Sequence, residues 1–139
     1  MKFPEKEWIE AYGNSLAEDP EWNVIGKFFC CTYLLEADED RCIVSFRDGK
    51  LEEINDNPLV GPLYNKDGWE FAIRAPRSTW EKFMARIPPP KYHHFFAVTD
   101  FKTPQRMIVE GNMKIVWQNI RALTYSMEFM RIFNNRGSE

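Results

Sequence analysis

"FFCCTYLLEADEDRCIVSFRDGKLEEI", residues 28–54, decides the fold class. From Phe28 to Ala37 the side chains suit a strand, and both faces stay apolar until Glu36. That is the mark of a central strand covered on both sides for part of its length. From Arg41 to Phe46, Cys42, Val44 and Phe46 alternate with Arg41 and Ser45, the period of a second strand. Asp48-Gly49 is a strong hairpin signal, so a third strand near Leu51–Ile54 is expected to pair back antiparallel.

Working outward, "NDNPLVGPLYNKDG" (55–68) reads as a loop from its Pro, Gly and Asn content. "WEFAIRA" (69–75) then alternates Trp69, Phe71 and Ile73 against Glu70 and Arg74, a half-buried strand. In "APRSTWEKFMARIPPP" (75–90), Ser78 and Glu81 form a capping box. Trp80, Phe83, Met84 and Ile87 fall at helical spacing, and Pro88–Pro90 end the helix. "KYHHFFAVTDF" (91–101) reads as a short helix, and Thr103-Pro104 breaks the chain again. "RMIVEGNMKIVWQNI" (106–120) supplies a last strand to Glu110 and opens a final helix running from Asn112 to about Phe133. Upstream, Pro4 to Ala17 is a helix with Trp8, Ile9, Tyr12 and Leu16 in register. "EDPEWNVIGKFF" (18–29) is a turn broken by Asp19-Pro20 and Gly26. Hairpin-linked strands with helices gathered around them indicate α+β architecture.

The chain has 139 residues, most simply one domain with residues 1–18 as an N-terminal helix and 134–139 as a polar tail. With 44% hydrophobic and 28% charged residues it has the composition of a folded soluble protein. Its net charge of −3 and scattered cations argue against nucleic acid as a partner. Cys30, Cys31 and Cys42 are an odd set with two neighbours diverging, so a reduced, cytoplasmic setting is expected. No long uncharged run is suited to stable membrane insertion, and "MKFPEKEW" lacks the apolar core of a signal peptide.

Sites of chemistry are sparse. Gly111-Asn112 lacks the further glycines and the Lys-Ser or Lys-Thr of a phosphate loop, and Asn112 is sufficiently explained as a helix N-cap. His93 and His94 project in different directions and have no metal-spaced partner. A base role beside Asp100 lacks any visible nucleophile. The carboxylate pairs Glu52–Glu53 and Asp38–Asp40 sit beside turns and read as solvated. No catalytic residue, cofactor or metal is expected.

The final helix is more informative. At about 100° per residue, Met113, Val116, Trp117, Ile120, Leu123, Met127 and Met130 share one side. Ile115, Ala122, Tyr125, Phe129, Ile132 and Phe133 form a second apolar set opposite. One side packs on the sheet; the other requires neighbouring helices, a dimer mate or an apolar ligand. Met84, Met107, Met113, Met127 and Met130 add adaptable surface for a variable guest.

"MIVEGNMKIVWQNIRAL" (107–123) resembles the C-terminal signature of the sterol carrier protein 2 domain family, through Val109, Gly111, Asn112, Met113, Ile120 and Leu123. "WEFAIRAPRSTWEKFM" is similar to that family's middle section and "CIVSFRDGKLEEI" to its central hairpin. With "DPEWNVIGKFF" the likeness runs from about Glu18 to Phe133. The resemblance implies a mainly antiparallel sheet of about five strands, helices on one face, and an apolar cavity or tunnel between them. It implies a non-catalytic carrier for a sterol, fatty acid, acyl-CoA or similar lipid. The expected wall comprises Trp80, Phe83, Met84, Phe95, Phe96, Met107, Met113, Trp117, Ile120, Tyr125, Met127, Phe129 and Met130. Three features depart from the pattern: Pro104-Gln105-Arg106 before the last strand, a bulky Trp117 that would shorten a tunnel, and no peroxisomal tail after Gly137. Two other readings stay open. One is a homodimeric accessory module whose extra apolar surface is a protein interface. The other is an enzyme acting on a lipid-like substrate with His93 or His94 as base. Transient membrane contact fits the carrier reading.

Overall fold

The structure is a computed structural model that describes residues 2–56, 68–103 and 106–136. Its elements are α1 (Lys6–Ala17), α2 (Pro20–Ile25), β1 (Cys31–Ala37), β2 (Asp40–Arg47), β3 (Lys50–Asn55), β4 (Phe71–Ala75), α3 (Arg77–Phe83), α4 (Phe95–Val98), β5 (Ile108–Gly111), α5 (Met113–Gln118) and α6 (Ile120–Asn135). The five strands form one sheet in the order β3-β2-β1-β4-β5. The hairpins arise as expected: β1 and β2 pair antiparallel, with Tyr33 opposite Val44, and β2 pairs antiparallel with β3 across Asp48-Gly49. β1 is the central strand.

The sheet is mixed rather than mainly antiparallel. β4 lies beside β1 and runs parallel to it, with Tyr33 opposite Phe71 and Glu36 opposite Arg74. A two-residue hairpin forces reversal of direction, but the stretch between β3 and β4 is long enough to allow either sense. Most of the expected loop 55–68 lies outside the described residues, as do Pro104 and the end of the polar tail.

Alternation then assigns the faces. Tyr33 and Leu35 of β1, Val44 and Phe46 of β2, and Phe71 and Ile73 of β4 join the helices in one core cluster. Tyr33 stacks between Phe46 and Phe71, with centroids 6.1 and 4.8 Å away, so three strands share a ring stack. On the opposite face Leu34, Ile43 and Ala72 form a smaller buried cluster with Trp69, which precedes β4 and so leaves the face of Phe71 and Ile73 on which alternation places it. β1 is thus apolar on both faces because both are covered.

Three helical expectations need correction. "EDPEWNVIGKFF" is not only a turn. Asp19 accepts from the Trp22 N–H at 3.0 Å and Pro20 stands at the first helical position, so α2 forms here. Ser78 is not the cap of α3, because Pro76 holds the N-cap position; the helix ends at Met84, leaving Ile87 exposed. The final helix is two helices. The amide N–H of Asn119 reaches back to Ile115 and Val116, and its own φ of −114° and ψ of 18° end α5 before α6 begins. Asn112 does cap α5, its side chain accepting from the Ile115 N–H at 3.4 Å.

Buried and part-buried polar ties lock the helices onto one another and onto the sheet. The Tyr12 hydroxyl donates to Ser126 O at 2.6 Å, joining α1 to α6. The Trp22 indole donates to Gly49 O at 2.8 Å, joining α2 to the β2–β3 hairpin. The Trp80 indole donates to Glu36 O at 2.9 Å, and Arg131 Nε to Phe83 O at 2.8 Å, fixing α3 between sheet and α6.

All three cysteines are free. Burial, with Glu70 and Cys30 adding to it, pushes the Cys31 thiol up to about 12; burial, then Asp56, does the same for Cys42. Cys30 is exposed. One thiol per chain should therefore react with a water-soluble disulfide reagent at pH 8, and three after denaturation. Rapid native labelling at two or more sites would contradict this core.

Candidate apolar groove

The surplus apolar side of the last helix is covered largely from within. Phe129 lies 6.3 Å from Tyr12 of α1, and Phe133 lies 5.1 Å from Trp8. Tyr125 stacks on Trp22 of α2 at 6.2 Å, with ring planes 17° apart. Neighbouring helices thus cover most of that side. Ile132 remains exposed.

The expected wall residues divide into three groups. Trp80, Phe83, Met84, Phe95, Met107, Met127, Phe129 and Met130 are buried in the main core. Ile120 and Tyr125 are half-buried and pack against it. Phe96, Met113 and Trp117 are exposed, at 44%, 36% and 59%. Met113 and Trp117 depart from the helical wheel because Asn119 ends α5 and α6 restarts the period at Ile120.

The exposed and half-buried groups meet. Phe96 of α4 and Trp117 of α5 stack at 6.2 Å with planes 15° apart, and His94 stacks on Phe96 at 5.8 Å. Beside them runs an open groove of about 380 Å³ between α2, α4 and α6. It is lined by Glu21, Ile25, His94, Phe96, Ile120, Arg121, Thr124, Tyr125 and Glu128. Of these, Phe96, Ile120 and Tyr125 are legible in the sequence as candidate wall. Ile25 and Glu21 are not, because their segment reads as a turn; Asp19-Pro20 is the signal that reveals the helix.

Polar groups in the groove are mostly committed. The Tyr125 hydroxyl donates to Asp19 Oδ2 and, at 3.3 Å, to Glu21 Oε2, tying α6 to α2. Burial first, and then those carboxylates, raise the Tyr125 phenol well above its ordinary value, so it remains a donor at neutral pH. His94 caps α4 by accepting the Phe96 N–H on Nδ1 at 3.2 Å, which places the proton of the neutral ring on Nε2. His93 is exposed and outside the groove lining. The Thr124 hydroxyl is buried without a hydrogen-bond partner among the described residues.

No family model matches the sequence, and no curated protein does. Solved structures match the fold. A crystal structure of sterol carrier protein 2 aligns with a TM-score of 0.66 at 12% identity, over 94% of this chain and 98% of that one. A conserved hypothetical protein of Thermus thermophilus, described as possibly a sterol carrier protein, aligns at 0.62 and 13% identity, over 94% and 88%. The ubiquinone synthesis protein UbiJ-SCP2 aligns at 0.55 and 17% identity, over 93% and 97%. The chain has the sterol carrier protein 2 fold.

Proposed function

We propose that the protein binds a hydrophobic or amphipathic small molecule, of the sterol, fatty acid, acyl-CoA or related lipid class, through the groove between α2, α4 and α6. The carrying observation is the solvent-facing Phe96–Trp117 ring pair beside Ile25 and Ile120. Large rings left in water on one side of an open groove gain most by covering a guest, at roughly 25 cal/mol per Å² of apolar area before association costs. The fold likeness supports the same class. The role is binding without turnover, in a reducing compartment: His94 spends Nδ1 on a helix cap.

Trp117 is itself the reporter, because Trp8, Trp22, Trp69 and Trp80 are buried. Titration with a long-chain lipid should blue-shift tryptophan emission and protect it from acrylamide. Trp117→Phe should abolish that signal, and Trp117→Ala should weaken binding by about tenfold. Emission unchanged at saturating lipid, or protection that tracks protein concentration and dimer formation in sedimentation, would overturn the reading.

A further inference from the structure

We infer that the groove selects a neutral head group, an alcohol or carbonyl, over a carboxylate or phosphate, and that Thr124 is the residue that receives it. This rests on the groove-binding reading above. Two independent observations carry it.

The first is charge. Glu21 and Glu128 line the groove against a single cation, Arg121, and Asp19 stands behind the Tyr125 hydroxyl. An anionic head among them would meet more like charge than opposite charge. The Tyr125 hydroxyl, already donating to Asp19 and Glu21, offers no free proton to neutralise a guest carboxylate. A neutral hydroxyl or carbonyl carries no such penalty.

The second is the Thr124 hydroxyl. Thr124 lines the groove, yet its hydroxyl is buried and unpartnered among the described residues. A buried hydroxyl without a partner is costly, so a group able to bond it gains more than at a solvated site. Threonine on a helix divides between two χ1 wells, and turning from one to another exchanges hydroxyl and methyl in nearly the same volume. Receiving a head group requires that step to turn the hydroxyl from its buried position to the groove, where it both donates and accepts. A guest alcohol or carbonyl then supplies the bond that the protein does not. Its alkyl part lies along Ile25, Ile120 and Phe96.

The test is displacement of a fluorescent apolar probe from the full chain by 1-dodecanol and by dodecanoate at pH 8, in three proteins. Absolute affinities are set aside, because the alcohol is the greasier molecule in any apolar site; the change between proteins is the readout. Thr124→Val keeps the side-chain shape and should weaken 1-dodecanol about fivefold, while leaving dodecanoate within about twofold. The double variant Glu21→Gln, Glu128→Gln should tighten dodecanoate about threefold or more and leave 1-dodecanol unchanged. Circular dichroism verifies that each variant is folded. If Thr124→Val weakens both ligands equally or neither, or the double variant leaves dodecanoate unmoved, the head-group selection is wrong while groove binding stands. If no protein binds either ligand, the groove reading falls and this selection with it.

Discussion

Gly111→Ala should lower the unfolding free energy by about 3 kcal/mol or more, from strained backbone and a steric clash together. Gly111 ends β5 with φ of +118°, a conformation that residues bearing a Cβ rarely adopt. It also lies against β4, opposite Phe71 in the ladder. A Cβ there would stand 2.8 Å from Glu70 O and 2.8 Å from Phe71 Cα, both backbone atoms that no rotamer change relieves. The same close approach lets the Asn112 N–H donate to Glu70 O at 2.9 Å, tying the start of α5 to the chain just before β4. Gly68→Ala is the control: its φ is +76°, but nothing among the described residues lies within 4 Å of the added Cβ. It should cost only the conformational part, about 1–2 kcal/mol. Equal losses in urea unfolding would show that the close approach of β5 to β4 is misplaced.

Arg74→Met should cost about 3 kcal/mol, for a different reason. On the outer face of the sheet, charges alternate across four strands: Arg41 of β2, Glu36 of β1, Arg74 of β4 and Glu110 of β5. Arg41 Nε donates to Glu36 at 3.2 Å, Arg74 Nη1 donates to Glu36, and Arg74 Nε donates to Glu110 at 2.5 Å. The Glu36 and Arg74 side chains are only 13% and 17% exposed. Removing the guanidinium therefore leaves a largely buried carboxylate with one partner fewer. Replacing both, Glu36→Leu with Arg74→Met, should recover much of the loss, since apolar substitutes for a buried pair are often nearly neutral. A double variant as unstable as the sum of the singles would argue against coupling. The ladder also resists register slip, because moving β4 by one residue would carry Arg74 to the core face.

These variants probe features of unequal visibility in the sequence. The β1–β2–β3 meander is legible because period-2 alternation and Asp48-Gly49 are local signals. The Asn112 cap is equally plain. α2 escapes a sequence reading because Asp19-Pro20 serves both to break a chain and to begin a helix. The division of α5 from α6 escapes it because Asn119 interrupts a run whose apolar residues continue at helical spacing. In the groove, Phe96, Ile120 and Tyr125, and beside it Trp117, can be singled out as rings and branched chains. Thr124, Glu21 and Glu128 cannot, since nothing in their local spacing distinguishes them from ordinary surface residues.

By itself the sequence determined which segments are strands, that β1 is central, and that the last helix carries more apolar surface than one sheet needs. Those follow from side-chain period and turn chemistry, which act over a few residues. Tertiary structure alone decided that β4 runs parallel to β1, and that α1 and α2 cover most of the second side of α6. It also decided that Phe96 and Trp117 are left stacked in water above a groove. Each of those depends on which distant segments win the contest to bury the same surface, and local spacing carries no record of that contest.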